Sequence, residues 1–94
     1  MKNTGQRVVI TGAGSGLGRE LALRYAREGA RLALADINDR TGLETLALVE
    51  QAGGSGFVQR CDIRDFSQLA ALAQRCSEQL GGVDVLINNA GVAS

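Results

Sequence analysis

Residues Thr11 to Gly18 read TGAGSGLG, four glycines in eight positions. Glycine weakens helices and strands alike, so this density needs a backbone reason. The run lies between a short β-branched stretch, RVVIT (Arg7 to Thr11), and a helical pattern that starts near Gly16. A helix start presents unpaired N–H groups and a partial positive charge. A pyrophosphate can sit there only where no side chain blocks the backbone. In that role Gly12 serves the tight turn and Gly16 clears the approach. Gly18 lets the helix pack close to the sheet. Ser15 offers a hydroxyl donor, Gly14 is an additional glycine, and Leu17 belongs to the same turn into the helix. The spacing is G-x-x-x-G-x-G, not the common G-x-G-x-x-G, and no Lys-Ser/Thr follows as a P-loop requires. The competing reading is a flexible strand-to-helix connection without a ligand.

Asp36 closes a second apolar stretch, RLALAD, 18 residues after Gly18. A carboxylate at that place in a doubly wound sheet accepts hydrogen bonds from ribose hydroxyls. It would also repel a 2′-phosphate, which favours NAD over NADP. Neither Ser15 nor Ile37 is basic, whereas Arg19 and Arg40 lie near enough to keep NADP open. The alternative for Asp36 is a turn or helix-cap carboxylate.

The elements that must position these residues alternate regularly. The four strands are expected at Arg7–Thr11, Arg31–Asp36, Gly56–Cys61 and Val83–Asn88. The first helix carries Leu17, Leu21 and Tyr25 with Ala22 and Ala26, an apolar face that stops at Gly29. Asn38 or Asp39 caps a second helix running to about Ala52, with Leu43, Leu46 and Ala47 inward. Asp65 and Gln68 resemble a capping box. The helix after them buries Leu69, Leu72, Ala73, Cys76 and Leu80 and stops at Gly81–Gly82. The order β-α-β-α-β-α-β implies a parallel sheet with crossover helices.

The whole chain, 94 residues with 45% hydrophobic and 21% charged, is of single-domain size and ordinary globular composition. Ten basic and ten acidic residues cancel, so neither nucleic acid nor an anionic membrane is an expected partner. No histidine is present, which removes the usual zinc sites and any histidine-based triad. Cys61 and Cys76 are expected as free, buried thiols in a reducing compartment. With no signal-peptide pattern and no apolar run of membrane-spanning length, a cytoplasmic location is expected.

These residues, with two further motifs, resemble the short-chain dehydrogenase/reductase family. Its T-G-x-x-x-G-x-G motif is matched by Thr11, Gly12, Gly16 and Gly18. Its N-N-A-G motif is matched by Asn88, Asn89, Ala90 and Gly91, and its acidic residue after the third strand by Asp62, followed by Ile63. The resemblance runs from about Arg7 to the last residue. It implies that Gly12 to Gly18 cradle a pyrophosphate and that Asp36 holds the ribose. Asp62 would bond the adenine amino group with help from the Ile63 backbone, while Asn89, Ala90 and Gly91 line the cofactor cleft. Against this, Asp62 could merely cap a loop, and Asn88 and Asn89 could be structural.

The family's catalytic Ser and Tyr-x-x-x-Lys find no counterpart. The one tyrosine, Tyr25, is followed four positions on by Gly29, and the one lysine is Lys2. Residues 1–94 therefore read as the N-terminal, cofactor-binding part of one incomplete domain, inactive by itself. The complete protein would act on a small carbonyl or alcohol and form a homo-oligomer. The alternative is a non-catalytic dinucleotide-binding module or redox sensor. The expected architecture is an α/β, doubly wound Rossmann-type sheet of order 3-2-1-4, ending after the fourth strand. Its first two helices lie on one face and the third on the other. An apolar edge at the fourth strand should be uncovered.

Overall fold

The computed structural model describes residues 5–90. It contains β1 (Arg7–Thr11), α1 (Gly16–Arg27), β2 (Arg31–Asp36), α2 (Asp39–Gln51), β3 (Ser55–Arg60), α3 (Phe66–Leu80) and β4 (Val85–Asn88). The sheet is parallel throughout, in the order β3-β2-β1-β4. This is the expected topology. Parallel neighbours need crossovers, and right-handed crossovers put α1 and α2 on one face and α3 on the other.

Strand alternation divides the core accordingly. Val8, Ile10, Leu32 and Leu34 pack with Ala22, Ala26 and Val49 from α1 and α2. Val9, Ala33, Ala35 and Phe57 turn the other way and pack with Leu72, Cys76 and Leu80 of α3. Both cysteines are free and buried. Burial pushes each thiol's pKa up, and Asp62 and Asp65 add to the effect at Cys61.

The helix starts follow local chemistry. Asn38 Oδ1 accepts from the N–H groups of Arg40 and Thr41, so Asn38 rather than Asp39 is the cap of α2. Asp65 caps α3 by accepting from Ser67 and Gln68. The capping box is only half formed. Gln68 Oε1 accepts from the N–H of Asp62, while Gln68 Nε2 donates to Asp65.

Three expectations about packing are corrected. In α2, Leu43 is 57% exposed and Ala47 is also exposed, while Gly42, Thr45 and Val49 face the sheet. A Cβ on Gly42 would press on Val58, so a small residue governs the approach there. In α1 the deepest stripe is Gly18, Ala22 and Ala26, and Leu17 is exposed. In α3, Ala73 is exposed on the rim of the groove described below. Strand limits also shift: β3 begins one residue early, at Ser55, and β4 begins at Val85.

The shortening of β4 has a visible cause. Arg7 Nε and Nη2 grip the Asp84 carboxylate at 3.1 and 3.0 Å. The Arg7 N–H also donates to that carboxylate, and the Asp84 N–H donates to the Arg7 carbonyl. Asp84 thus ends the preceding turn and starts the ladder at Val8↔Val85.

The expected apolar exposure is present beside β4. Val9, Leu72, Cys76, Val83 and Leu86 line a groove of about 540 Å³ between α3 and β4, with Leu86 66% exposed. Among the described residues, no helix is long and apolar enough to cross a membrane.

The Arg7–Asp84 grip holds the Asp84 carboxyl at about 2, below its ordinary 3.8. A lowered folded-state pKa means that the contribution is present above 3.8 and is lost as pH falls through about 2. The urea midpoint should therefore fall over that window, and Asp84→Asn should flatten part of the fall. An unchanged pH profile in Asp84→Asn would show that the pair does not hold β4.

Candidate functional site

The carboxyl ends of β1, β2 and β4 converge where the strand order reverses, and the glycine loop crosses this point. Thr11, 4% exposed, ends β1 and is its hub. Its Oγ1 lies 2.9 Å from Asn88 Oδ1 and accepts from the N–H groups of Asn89 (2.9 Å) and Ala90 (3.1 Å). Asn89 Nδ2 donates to the Gly12 carbonyl at 3.2 Å. The two motifs at opposite ends of the chain are therefore bonded to each other. Gly91 lies outside the described residues.

Glycine is required here by crowding as well as by backbone sign. Gly12 has φ +66°, and a Cβ on it would stand 3.0 Å from the Ala90 Cα and from Asn89 Nδ2. A Cβ on Gly18 would collide with the Gly12 carbonyl. Gly18 thus sets how closely α1 approaches the end of β1, the role read for it from sequence. Gly14, which spacing left as an extra, proves tightly enclosed: a Cβ there would collide with Thr41 Oγ1 and crowd Asp36.

Gly16 is different. Its φ is +55°, and nothing lies within 4 Å of where its Cβ would be. Ser15, Gly16 and Leu17 are all exposed. Ser15 is the N-cap of α1, yet its side chain makes no cap hydrogen bond, and no acidic residue sits in the first turn. The starts of α2 and α3 are capped by their own side chains; that of α1 is left open.

Asp36 receives one N–H on each oxygen. Gly14 donates to Oδ2 at 2.8 Å and Asn38 to Oδ1 at 2.9 Å. The turn role and the ligand role are compatible, because a carboxylate offers about four lone-pair sites. Of the two cations near it in sequence, Arg19 is engaged by the loop and α2, whereas Arg40 is exposed in the first turn of α2.

The end of β3 lies next to Asp36, with the Cys61 N–H donating to the Asp36 carbonyl. Asp62 follows. Arg64 Nε and Nη2 hold its two carboxylate oxygens at 3.0 and 2.9 Å, and the Arg64 N–H adds a third bond. These bonds bring the Asp62 carboxyl to about 2. Arg64 itself is largely exposed. Ile63 lines the groove on the α3 face. Three contributors were not singled out from sequence for the bonds they make: Thr11 Oγ1, Arg19 and Thr45. A threonine on the inward side of a helix was the available signal, because a buried hydroxyl needs a partner.

The fold and site together define a doubly wound sheet with a glycine loop at its switch point. The chain belongs to the short chain dehydrogenase family, whose profile matches residues 6–94. It is 42% identical over 87 residues to a 7alpha-hydroxysteroid dehydrogenase of Escherichia coli, covering 93% of this chain and 34% of that one. An epidermal retinol dehydrogenase 2 of Mus musculus is 43% identical over 91 residues, which is 96% of this chain and 29% of the relative. The chain spans about a third of the length of such curated relatives. Among solved structures, an NAD+-bound xylitol dehydrogenase superposes with a TM-score of 0.93 at 32% identity, covering 98% of this chain and 35% of that one.

The crowding leads to a ranking. Gly18→Ala should destabilise the chain more than Gly16→Ala. The latter meets only the left-handed backbone penalty, about 1–2 kcal/mol, while the former must also displace the Gly12 carbonyl. Urea denaturation checks this, and equal losses would show that the loop relaxes around a Cβ at Gly18.

Proposed function

We propose that this chain binds the nicotinamide dinucleotide of a short-chain oxidoreductase, with NAD favoured over NADP. The observation that carries the reading is the start of α1. It is uncapped, free of acid in its first turn, and opens beside a Gly16 with empty space around it. The residues fit the group. Backbone N–H groups at Ser15 to Gly18 face a pyrophosphate, and Ser15 Oγ adds a donor. Asp36 keeps lone pairs for the ribose hydroxyls and sets a negative charge where NADP would bring a 2′-phosphate. Asp62 takes the adenine amino group, with the Ile63 backbone beside it. Asn89, Ala90 and Gly91 line the cleft toward the nicotinamide.

When bound, the cofactor supplies hydride exchange with a carbonyl or alcohol carbon, and the chain supplies binding and orientation. The proton-handling Tyr-x-x-x-Lys of the family is not among these 94 residues. Tyr25 is half-buried on α1, packed against the core. The chain alone is thus proposed to bind without turnover, as part of a longer, homo-oligomeric enzyme.

Calorimetry with NADH and NADPH tests the reading. NADH should bind at least about tenfold tighter, a difference of ~1.4 kcal/mol. Equal affinities would remove Asp36 from its role. Gly16→Val should abolish binding while circular dichroism keeps the folded signal. A Gly16→Val chain that binds normally would overturn phosphate approach at the start of α1.

A further inference from the structure

The glycine loop has two halves with opposite character. In Ser15 to Leu17 the residues are exposed and the helix start is open. In Ala13–Gly14 every backbone polar group is already bonded to another element. The Ala13 N–H donates to the Ala35 carbonyl of β2 at 3.1 Å. The Ala13 carbonyl accepts from Thr45 Oγ1 of α2 at 2.8 Å. The Gly14 N–H donates to Asp36 at 2.8 Å, and the Gly14 carbonyl accepts from Arg19 Nη2 at 2.7 Å.

Arg19 lies one residue beyond the glycine motif and links most of these parts. Its Nε donates to Thr45 Oγ1 at 2.9 Å. Its Nη2 also reaches the Thr41 carbonyl and Glu44 Oε1, each at 3.2 Å. Thr45 is fully buried, so its hydroxyl depends on these partners. A planar guanidinium can serve two acceptors from two nitrogens at once, which a single ammonium cannot. Among the described residues, only Nη1 of this guanidinium makes no hydrogen bond.

We propose that Arg19 is a positioning residue of the nucleotide site. Its guanidinium clamps the Gly14 peptide to α2 and so fixes the open half of the loop before any ligand arrives. In this role it acts on the shared pyrophosphate part of NAD and NADP, not on a 2′-phosphate. The affinity consequences rest on the cofactor reading above; the consequences for the unliganded loop do not.

The test uses Arg19→Met, which keeps the apolar stem, and Arg19→Lys, which keeps the charge without the fork. Amide hydrogen exchange is followed in the unliganded chain, and NADH and NADPH are titrated by calorimetry. In both variants, exchange at Ala13 and Gly14, the loop amides whose N–H groups are hydrogen-bonded, should accelerate about tenfold, as expected for losing one charge-assisted hydrogen bond. Exchange at Ile10 and Leu34 in the strands should stay unchanged, which separates a local clamp from general destabilisation. NADH and NADPH should weaken by the same factor. Unchanged loop exchange in both variants would overturn the clamp. So would a loss confined to NADPH, which would make Arg19 a phosphate ligand through Nη1. Full recovery in Arg19→Lys would overturn it too, since charge alone would then suffice. If Arg19→Met unfolds, Arg19→Lys carries the same readings. If the wild-type chain binds neither nucleotide, the cofactor reading fails while loop exchange still decides the clamp.

Discussion

β4 is four residues long and pairs with one neighbour among the described strands, yet the site depends on where it ends. Parallel ladders are slightly weaker per residue than antiparallel ones, so so short a strand needs help at its ends. It has help at both. Arg7 and Asp84 lock its start, and the Thr11 hydroxyl gathers Asn88, Asn89 and Ala90 at its finish. These partners are 77 to 79 positions apart in the chain. The Thr11 junction places Asn89 so that its amide meets the Gly12 carbonyl, and that carbonyl leaves no room for a side chain at Gly18. The end of β4, the turn after β1 and the start of α1 are thereby set by one set of contacts.

The remaining half of the site is set from the other direction. Asp36 at the end of β2 and Thr45 on α2 hold the Ala13–Gly14 backbone, with Arg19 between them. The inner loop therefore has no polar group to spare, and the outer loop has its helix start uncovered. In the proposed reading, a loop held in place before an anion arrives loses less entropy on binding, which is the general advantage of preorganisation. Gly14 belongs to this arrangement because Thr41 and Asp36 close in on it. Gly16 belongs to the open half, where the space around it is empty.

Much of this was legible in the residue order. Alternating apolar runs and helical patterns located every element, and the handedness of crossovers set the order 3-2-1-4. Gly12, Gly16 and Gly18 stood out because glycine is costly without a backbone reason. The inner face of α2 was not legible. Periodicity favoured Leu43 and Ala47, but α2 approaches the sheet so closely that Gly42 and Thr45 occupy the interface. Hydrophobicity reports what prefers to leave water, not how near two backbones will come. The partners of Asp36, Asp62 and Arg19 were hidden for a related reason. Each depends on side-chain direction at a loop, where no period of 2 or 3.6 applies. Arg64 is two residues from Asp62 in sequence, yet nothing in the pattern says that its side chain folds back.

Relatives named for a hydroxysteroid, for retinol and for xylitol match this chain over nearly all of its length. Features common to all of them over this stretch are poor candidates for choosing among such different compounds. In the proposed reading, selection within this stretch falls on an anion at the start of α1 and on the Asp36 charge at the end of β2. One is a backbone feature and the other a side-chain carboxylate, and both sit where the β1–β4 junction and the Arg19 network hold the loop. In the reading proposed here, discrimination between cofactors comes down to local electrostatics. Asp36 supplies fixed negative charge, and Arg19 has committed Nε and Nη2 to the loop and α2. Arg40 and Arg60, the latter paired across the ladder with Asp36, are exposed cations beside it, and exposed arginines in water offset a fixed carboxylate only weakly.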